Sequence, residues 1–159
     1  MNKHHLPIDY IQRGRTVKWM HPDTEEKFNN HLQNDPSNED LIKYKENPIE
    51  YTFNNYGFRT PDNLDPVSEG NVFLGCSHTF GIGLHLKDTW AYRVNKEIGG
   101  AFYNFGQPGT GILTGYRLLK HWINRLDIKN VFAFYPHQNR FEYYSPKDEL
   151  YRTLTENIP

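Results

Sequence analysis

Short apolar segments alternate with amphipathic segments along the second half of the chain. Residues 71–75 (NVFLG), 101–105 (AFYNF) and 131–135 (VFAFY) are runs rich in apolar residues, which is typical of strands buried in a sheet. Residues 88–100 and 110–126 place apolar residues at helical spacing between these runs. The order strand, helix, strand, helix, strand predicts an α/β fold with a parallel sheet, right-handed crossovers and helices covering both faces.

Particular residues define the predicted helices and the third strand. Asp88 is the expected N-cap of the first helix, which ends at the pair Gly99 and Gly100. The second helix is expected to bury one face, formed by Leu118, Leu119, Trp122, Ile123 and Leu126. Residues 131–135 are apolar throughout, so we expect this strand to be buried on both sides.

Residues 1–69 have a different character, because they are polar and rich in turn-forming residues. The stretch HPDTEEKFNNHLQNDPSNED places proline, asparagine and aspartate at turn spacing, with one short helix expected over Thr24–Leu32. Ile49–Phe53 alternates apolar and polar residues and is a candidate strand. We therefore expect residues 1–69 to form an extension that packs on a domain formed by residues 70–159.

Composition and charge weigh against several classes of protein. Eighteen Lys and Arg against nineteen Asp and Glu give a net charge of −1, so the overall charge favours neither nucleic acid nor an anionic membrane as a partner. No apolar run approaches the roughly 20 residues that span a bilayer. The single cysteine, Cys76, excludes an internal disulfide and a cysteine-based zinc site. We therefore expect a cytoplasmic protein without a cofactor.

Three loops with reactive or small residues follow the predicted strands. They read GCSHTFGIG, GQPGTG and PHQNR, and they offer hydroxyls, a thiol, two imidazoles, glycine amides and side-chain amides. The carboxyl ends of parallel strands lie at one edge of a sheet, where ligands bind in open α/β folds. A nucleophile with amide donors near it is what an acyl-transfer site requires.

The order of these segments resembles the SGNH hydrolase (GDSL esterase/lipase) superfamily, in its bacterial and phage-type members. Gly75-Cys76-Ser77 corresponds to the Gly-Asp-Ser block, NFGQPGTG to the second block with Gly109, and HQNR to the third block at Asn139. YTFNNYGFR also resembles the Tyr-x-x-Asn-x-x-Gly-Phe-Arg lead-in of such members. The resemblance implies a flavodoxin-like three-layer α/β/α fold with strand order 2-1-3, and it covers about residues 50–140.

The same resemblance implies roles for three residues. Ser77 would be the nucleophile, and the Ser77 N–H, the Gly109 N–H and the Asn139 side chain would form the oxyanion hole. These three residues are therefore expected to converge on one pocket. The implied function is a serine esterase or deacylase acting on an O-acyl ester, with acylated carbohydrates as one class of substrate. The alternative is a catalytically inactive SGNH-like module that binds glycan or has a structural role.

The chain departs from the family at three places. Cys76 stands where the family has aspartate, and Arg140 stands where it often has aspartate. The Asp-x-x-His block that supplies the general base near the C-terminus has no counterpart. We expect the chain to be the N-terminal part of a longer domain, with residues 131–135 left at the sheet edge and DELYRTLTENIP forming part of a helix. A chain that simply lacks the usual base is the other explanation.

Other interpretations of the same residues stay open. Cys76 is an alternative nucleophile and His137 an alternative base, whereas His78 is expected to be an ordinary loop histidine. Gly109 is also explained by the start of a helix, and Asn139 by a turn. A phosphate-binding loop is a third interpretation of GQPGTG and ranks last, because the segment lacks the Gly-Lys-Ser/Thr ending of such loops. Aromatic residues make up 15% of the chain; a core of rings is the expected reason, and rings that stack on a sugar are the alternative.

Overall fold

The protein is a mixed α/β structure. A computed structural model describes residues 12–20, 23–61, 64, 68–135 and 138–155. In chain order, the elements formed by these residues are β1 (Thr16–Val17), α1 (Glu25–Asn34), α2 (Glu39–Glu46), β2 (Tyr51–Thr52), β3 (Gly70–Leu74), α3 (Ser77–Phe80), α4 (Trp90–Ile98), β4 (Ala101–Asn104), α5 (Ile112–Trp122), β5 (Ile128–Ala133), β6 (Arg140–Ser145) and β7 (Leu150–Thr155). The five helices and the parallel strands confirm the predicted α/β class.

A three-stranded parallel sheet forms the centre of the fold. Strand β3 lies between β4 and β5, and both pairs are parallel. Val72 of β3 is opposite Tyr103 on one side and Val131 on the other. The predicted central position of the strand over residues 71–75 is therefore confirmed, and the loops after β3, β4 and β5 leave from the same edge of the sheet.

The two faces of this sheet are covered by different helices. Val72 packs with Leu118 and Trp122 of α5, together with Phe58 from the first half of the chain. Phe73 points to the opposite face and packs with Ala91 of α4. The alternation of neighbouring strand residues between two covered faces explains why β3 is buried along its whole length.

The predicted cap of α4 is wrong by one residue. Thr89 is the N-cap, and its Oγ1 accepts a hydrogen bond from the Tyr92 N–H at 3.3 Å. Asp88 ends a short 3₁₀ turn, and its carboxylate pairs with Arg93 at 3.0 Å. Aspartate and threonine are both favourable caps, and the extended backbone at Thr89 decides between them here.

The predicted apolar face of α5 is wrong at one position. Leu118, Trp122 and Leu126 are buried, and Leu119 packs at the margin of the core, but Ile123 is 47% exposed. The helix ends at Trp122, so Ile123 lies at its C-cap, where the chain turns toward β5.

Strand β5 differs from its prediction because it is not buried on both sides. Its residues alternate between half-buried and exposed, and Val131 is 42% exposed. No strand among the described residues pairs with the outer edge of β5, as was expected of an edge strand. The packing of α5 explains the exposure, since its buried residues cover β3 and β4. An apolar composition does not by itself tell which neighbours a strand will have.

The segment after β5 forms a β-hairpin, and its second strand lies where a helix was predicted. Strand β6 pairs antiparallel with β7, and Tyr144 lies opposite Tyr151 with their rings 5.3 Å apart. The predicted helix over the last residues is therefore wrong as far as Thr155, and residues 156–159 lie outside the described part. The threonines and tyrosines of this segment favour strands, and cross-strand ring pairs stabilise a hairpin.

The first half of the chain packs against the sheet and the loop after β3. Strands β1 and β2 pair antiparallel. Phe58 and Leu64 join the main core, while Met20, Tyr51 and Phe53 form a second cluster with Phe80. Helix α1 covers the predicted Thr24–Leu32, and neither α1 nor α2 has a fully buried residue. The boundary between residues 69 and 70 stays a prediction.

Within the part of the chain that the structure describes, none of the helices combines the length and the apolar character needed to cross a bilayer.

Candidate active site

Ser77 is the first residue of α3, directly after the central strand. The turn between strand and helix depends on Gly75, because a Cβ at this position would lie 2.9 Å from the Phe134 carbonyl oxygen. Cys76 is buried and Ser77 is half-buried. The sequence signal for a strand followed by a tight turn and a serine thus corresponds to a hydroxyl at the carboxyl edge of the sheet.

The first turn of α3 presents backbone donors beside Ser77. The N–H groups of Thr79 and Phe80 donate to the Cys76 carbonyl oxygen at 3.0 and 2.9 Å. The N–H groups of Ser77 and His78 come earlier in the helix and have no acceptor within it. The Ser77 N–H therefore satisfies the first requirement for an oxyanion donor. Ser77 Oγ itself lies 4.0 Å from the Cys76 thiol, which is too weak a partner to act as its base.

The loop after β4 packs directly on α3. The Asn104 side chain donates to the Thr79 carbonyl oxygen at 3.1 Å, and the Gln107 N–H donates to the Gly75 carbonyl oxygen at 3.0 Å. A Cβ at Gly106 would lie 2.6 Å from the Phe80 nitrogen, so only glycine permits this approach. The contacts of Asn104 and Gly106 with α3 were not predicted from the sequence, although the two glycines of GQPG were an available signal.

Gly109 lies in a turn of the same loop. It follows Pro108, has a φ of +73° and is exposed. The Thr110 N–H donates to the Gln107 carbonyl oxygen at 3.4 Å, which closes the turn. Proline followed by glycine at positive φ is the pattern that type II turns favour. This turn explains the glycine without an oxyanion role, and the predicted role stays a prediction.

Asn139 lies at the start of the hairpin, between Gln138 and Arg140. Both neighbours line the cavity around Ser77, whereas Asn139 and Gly109 are absent from its lining. The hairpin reaches this position because Gly111 leaves room for the Arg140 backbone. The structure thus brings Gln138 and Arg140 to the cavity at Ser77, and the oxyanion role of Asn139 stays a prediction. His137 lies outside the described residues.

The cavity at Ser77 is open and has a volume of about 680 Å³. Its lining comprises Cys76, Ser77, His78, Ile112, Phe134, Tyr135, Gln138 and Arg140. The His78 side chain is exposed, and its ring packs 5.8 Å from the Phe134 ring. A hydroxyl, an imidazole and a guanidinium therefore share one cavity.

An apolar groove of about 350 Å³ begins in the wall of this cavity. The two share Ile112, Phe134 and Tyr135. The rest of the groove is lined by Leu74, Gly75, Gly111, Leu113, Gly115, Tyr116, Leu119 and Ala133. The groove follows α5 and the end of β5, so an apolar group attached to a ligand at Ser77 has a continuous surface to contact. The sequence did not predict this groove, because its residues have the composition of an ordinary core.

Arg59, from the YTFNNYGFR segment, braces the end of α3. Its side chain is buried, with 1% exposure. The guanidinium donates to the carbonyl oxygens of Phe80, Gly81 and Leu84 at 3.0, 2.7 and 2.8 Å. Burial lowers the pKa of Arg59 to about 10, so the group is still charged at neutral pH. The guanidinium also lies 4.4 Å from the centre of the Tyr51 ring.

The preceding residues of this segment form the turn that holds Arg59 in place. Asn54 Oδ1 accepts hydrogen bonds from the N–H groups of Tyr56 and Phe58, each at 3.0 Å. Gly57 has a φ of +87°, which a glycine adopts without strain. Phe58 enters the core with its ring 4.6 Å from that of Phe105. The lead-in segment therefore positions α3 and its serine from a distance in sequence.

The described residues contain no group of three His, Cys, Asp or Glu side chains placed to hold a metal ion. No protein-family model matches the chain, and no curated protein or solved structure matches it significantly.

Proposed function

We propose that the protein is a serine esterase or deacylase of the SGNH hydrolase type, with the flavodoxin-like α/β/α arrangement of that superfamily, acting on O-acyl esters with an apolar acyl group. The observation that carries the proposal is the position of Ser77. It begins a short helix after the central parallel strand, in a cavity whose wall continues into an apolar groove. Acylated carbohydrates remain one class of substrate, and neither a metal nor an organic cofactor takes part.

In the proposed reaction, Ser77 Oγ attacks the ester carbonyl carbon. The carbonyl oxygen becomes an oxyanion that accepts a hydrogen bond from the Ser77 N–H, with Gly109 and Asn139 as the further proposed donors. The alcohol leaves with a proton, and water then releases the acid from the acyl-enzyme. The Ser77 proton passes to a base; His78 lines the same cavity, and His137 is the other candidate. The proposed reaction involves neither nucleic acid nor a membrane. A free thiol at Cys76 is compatible with the reducing cytoplasm, which is the proposed location.

A catalytically inactive glycan-binding module is the second candidate. Ser77 Oγ contacts a thiol where a serine hydrolase has an imidazole, and this contact favours the second candidate. The two candidates differ in one measurable property, because only the esterase forms a bond between Ser77 and an acyl group.

We expect hydrolysis that depends on Ser77 and prefers longer acyl chains. The assay compares p-nitrophenyl butyrate with p-nitrophenyl octanoate, with imidazole added as a base and Ser77→Ala as the blank. A methylene buried in the groove is worth about fourfold in kcat/KM, so four of them favour octanoate by up to about 200-fold.

Ala133→Phe tests whether the groove binds the acyl chain, because Ala133 lines the groove beside its strand partner Leu74. This change should reduce the preference for octanoate to within about tenfold. Val131→Phe is the matched control, since Val131 lies on the same strand and face but outside the groove. An absence of any Ser77-dependent rate contradicts the esterase. A Ser77-dependent rate without chain-length preference contradicts only the groove.

A further inference from the structure

Another cavity lies between α1, α2 and the loop that follows α3. Its volume is about 490 Å³, which is within the range of about 300–1,000 Å³ typical of ligand sites. It shares no lining residue with the Ser77 cavity or the apolar groove. None of the chemistry proposed for Ser77 uses it.

The floor of this cavity is fixed by hydrogen bonds. The Tyr44 hydroxyl donates to the Gly83 carbonyl oxygen at 3.2 Å, and the Gly83 N–H donates to the Tyr51 hydroxyl oxygen at 2.9 Å. The Tyr51 ring in turn contacts the Arg59 guanidinium, 4.4 Å from its centre, and the Phe80 ring, whose centroid is 5.8 Å away. Because both polar groups of the Gly83 peptide are held by tyrosines, the floor is formed before any ligand arrives.

Aromatic rings form one wall. Trp19 is 37% exposed although it lines a cavity, and its ring lies 5.5 Å from that of Phe28 at an angle of 45°. The other two tryptophans belong to the core, where Trp90 packs on Phe73 and Trp122 on Phe105. Trp19 therefore presents part of an indole surface that the described residues do not cover.

The rim carries charges of both signs. Lys18, Lys27 and Lys45 provide donors, and Asp23 and Glu25 provide acceptors. Three cations against two anions give too small a net charge to select an ion strongly. A rim with donors and acceptors around an aromatic wall matches a molecule that has an apolar C–H face and a circle of hydroxyl groups. A pyranose sugar has this chemistry, and its hydroxyls both donate and accept.

We propose that this cavity binds a neutral saccharide, with one sugar ring stacked on Trp19 and its hydroxyls directed to the charged rim. The site is independent of the proposed esterase, because its walls come from the first half of the chain and the Gly83 loop. An acylated carbohydrate bound at Ser77 is not needed for it. Its occupancy can therefore be measured whether or not Ser77 reacts.

The test uses the indole N–H resonances of the full chain, which has three tryptophans. Cellobiose, maltose and N,N′-diacetylchitobiose are titrated in turn, with Trp19→Phe used to assign the Trp19 signal. At least one sugar should shift the Trp19 signal saturably, with a dissociation constant on the order of 1 mM. The signals of Trp90 and Trp122 should not move.

Variants separate stacking from a general effect on the fold. Binding by these variants is followed through the resonances of the sugar itself, because the variants have no Trp19 signal. Trp19→Ala should weaken binding by about tenfold or more, and the milder Trp19→Phe by less. Tyr143→Ala is the control, because it removes a ring that is 49% exposed on the hairpin, outside this cavity. Phenol is titrated as an apolar ring without a sugar's hydroxyls. The proposal is overturned if no sugar shifts the Trp19 signal, if binding survives Trp19→Ala, or if phenol binds and the sugars do not.

Discussion

Replacing Arg59 with methionine is expected to lower the free energy of unfolding by about 3–5 kcal/mol. The change leaves the carbonyl oxygens of Phe80, Gly81 and Leu84 buried without the guanidinium that now binds them. Each orphaned buried acceptor costs about 1–3 kcal/mol, and the sum is reduced because the variant no longer buries a charge. The free energy of unfolding of Arg59→Lys should fall between those of the unchanged protein and of Arg59→Met. An ammonium group cannot reach all three carbonyl oxygens as the planar guanidinium does.

Urea unfolding followed by circular dichroism measures this loss. Arg93→Met is the matched control, because Arg93 is an exposed arginine whose pairing with Asp88 is worth only about 0.5 kcal/mol. A loss below about 1 kcal/mol for Arg59→Met would show that the end of α3 does not depend on the buried guanidinium.

Replacing Glu142 with glutamine is expected to destabilise the hairpin by about 3 kcal/mol. The Glu142 carboxylate accepts hydrogen bonds from Arg117 Nε at 2.8 Å, from Arg117 Nη2 at 2.9 Å and from Thr114 Oγ1 at 2.6 Å. Both charged side chains are almost fully buried, and the Arg117 guanidinium lies 4.1 Å from the centre of the Tyr151 ring. The amide variant keeps the shape but leaves the Arg117 charge without its counter-ion.

Amide hydrogen exchange locates the effect, because the amides of β6 and β7 should lose protection before those of β3. The double variant Arg117→Met/Glu142→Gln should recover part of the loss, since it also removes the buried guanidinium charge. Glu69→Gln is the control, because the Glu69–Lys129 pair is exposed and contributes little. Equal effects of Glu69→Gln and Glu142→Gln would contradict an anchoring role for the buried pair.

The sequence predicted the parts of the fold that depend on local patterns. Residues 71–74 alternate between two covered faces, so their apolar run correctly indicated a buried strand. Residues 131–135 are also apolar but are not buried on both sides, and an apolar run does not show whether α5 extends over it. The hairpin was missed for a related reason, since its strands are stabilised by each other and by Arg117 on a distant helix.

The candidate site was predictable to a similar extent. The small residues around Ser77 indicated a tight turn after a strand, and the turn is there. The role of Arg59 was not predictable, and Gly106 was indicated only by the glycines of GQPG, because each role depends on a contact with α3 from another part of the chain. Gly109 shows a different limit of sequence-based prediction. The motif assigned it an oxyanion role, but a proline-glycine turn is enough to explain a glycine at this position.

The most direct test of the nucleophile is the detection of an acyl-enzyme. The full chain is incubated with p-nitrophenyl octanoate and imidazole, quenched in acid and digested, and the peptides are analysed by mass spectrometry. We expect an octanoyl group on Ser77 that is absent from the Ser77→Ala protein, because an ester of serine survives in acid long enough to be mapped. An octanoyl group on Cys76 in place of Ser77, or a chain that stays unmodified while the ester is hydrolysed at the rate of the Ser77→Ala blank, would contradict it.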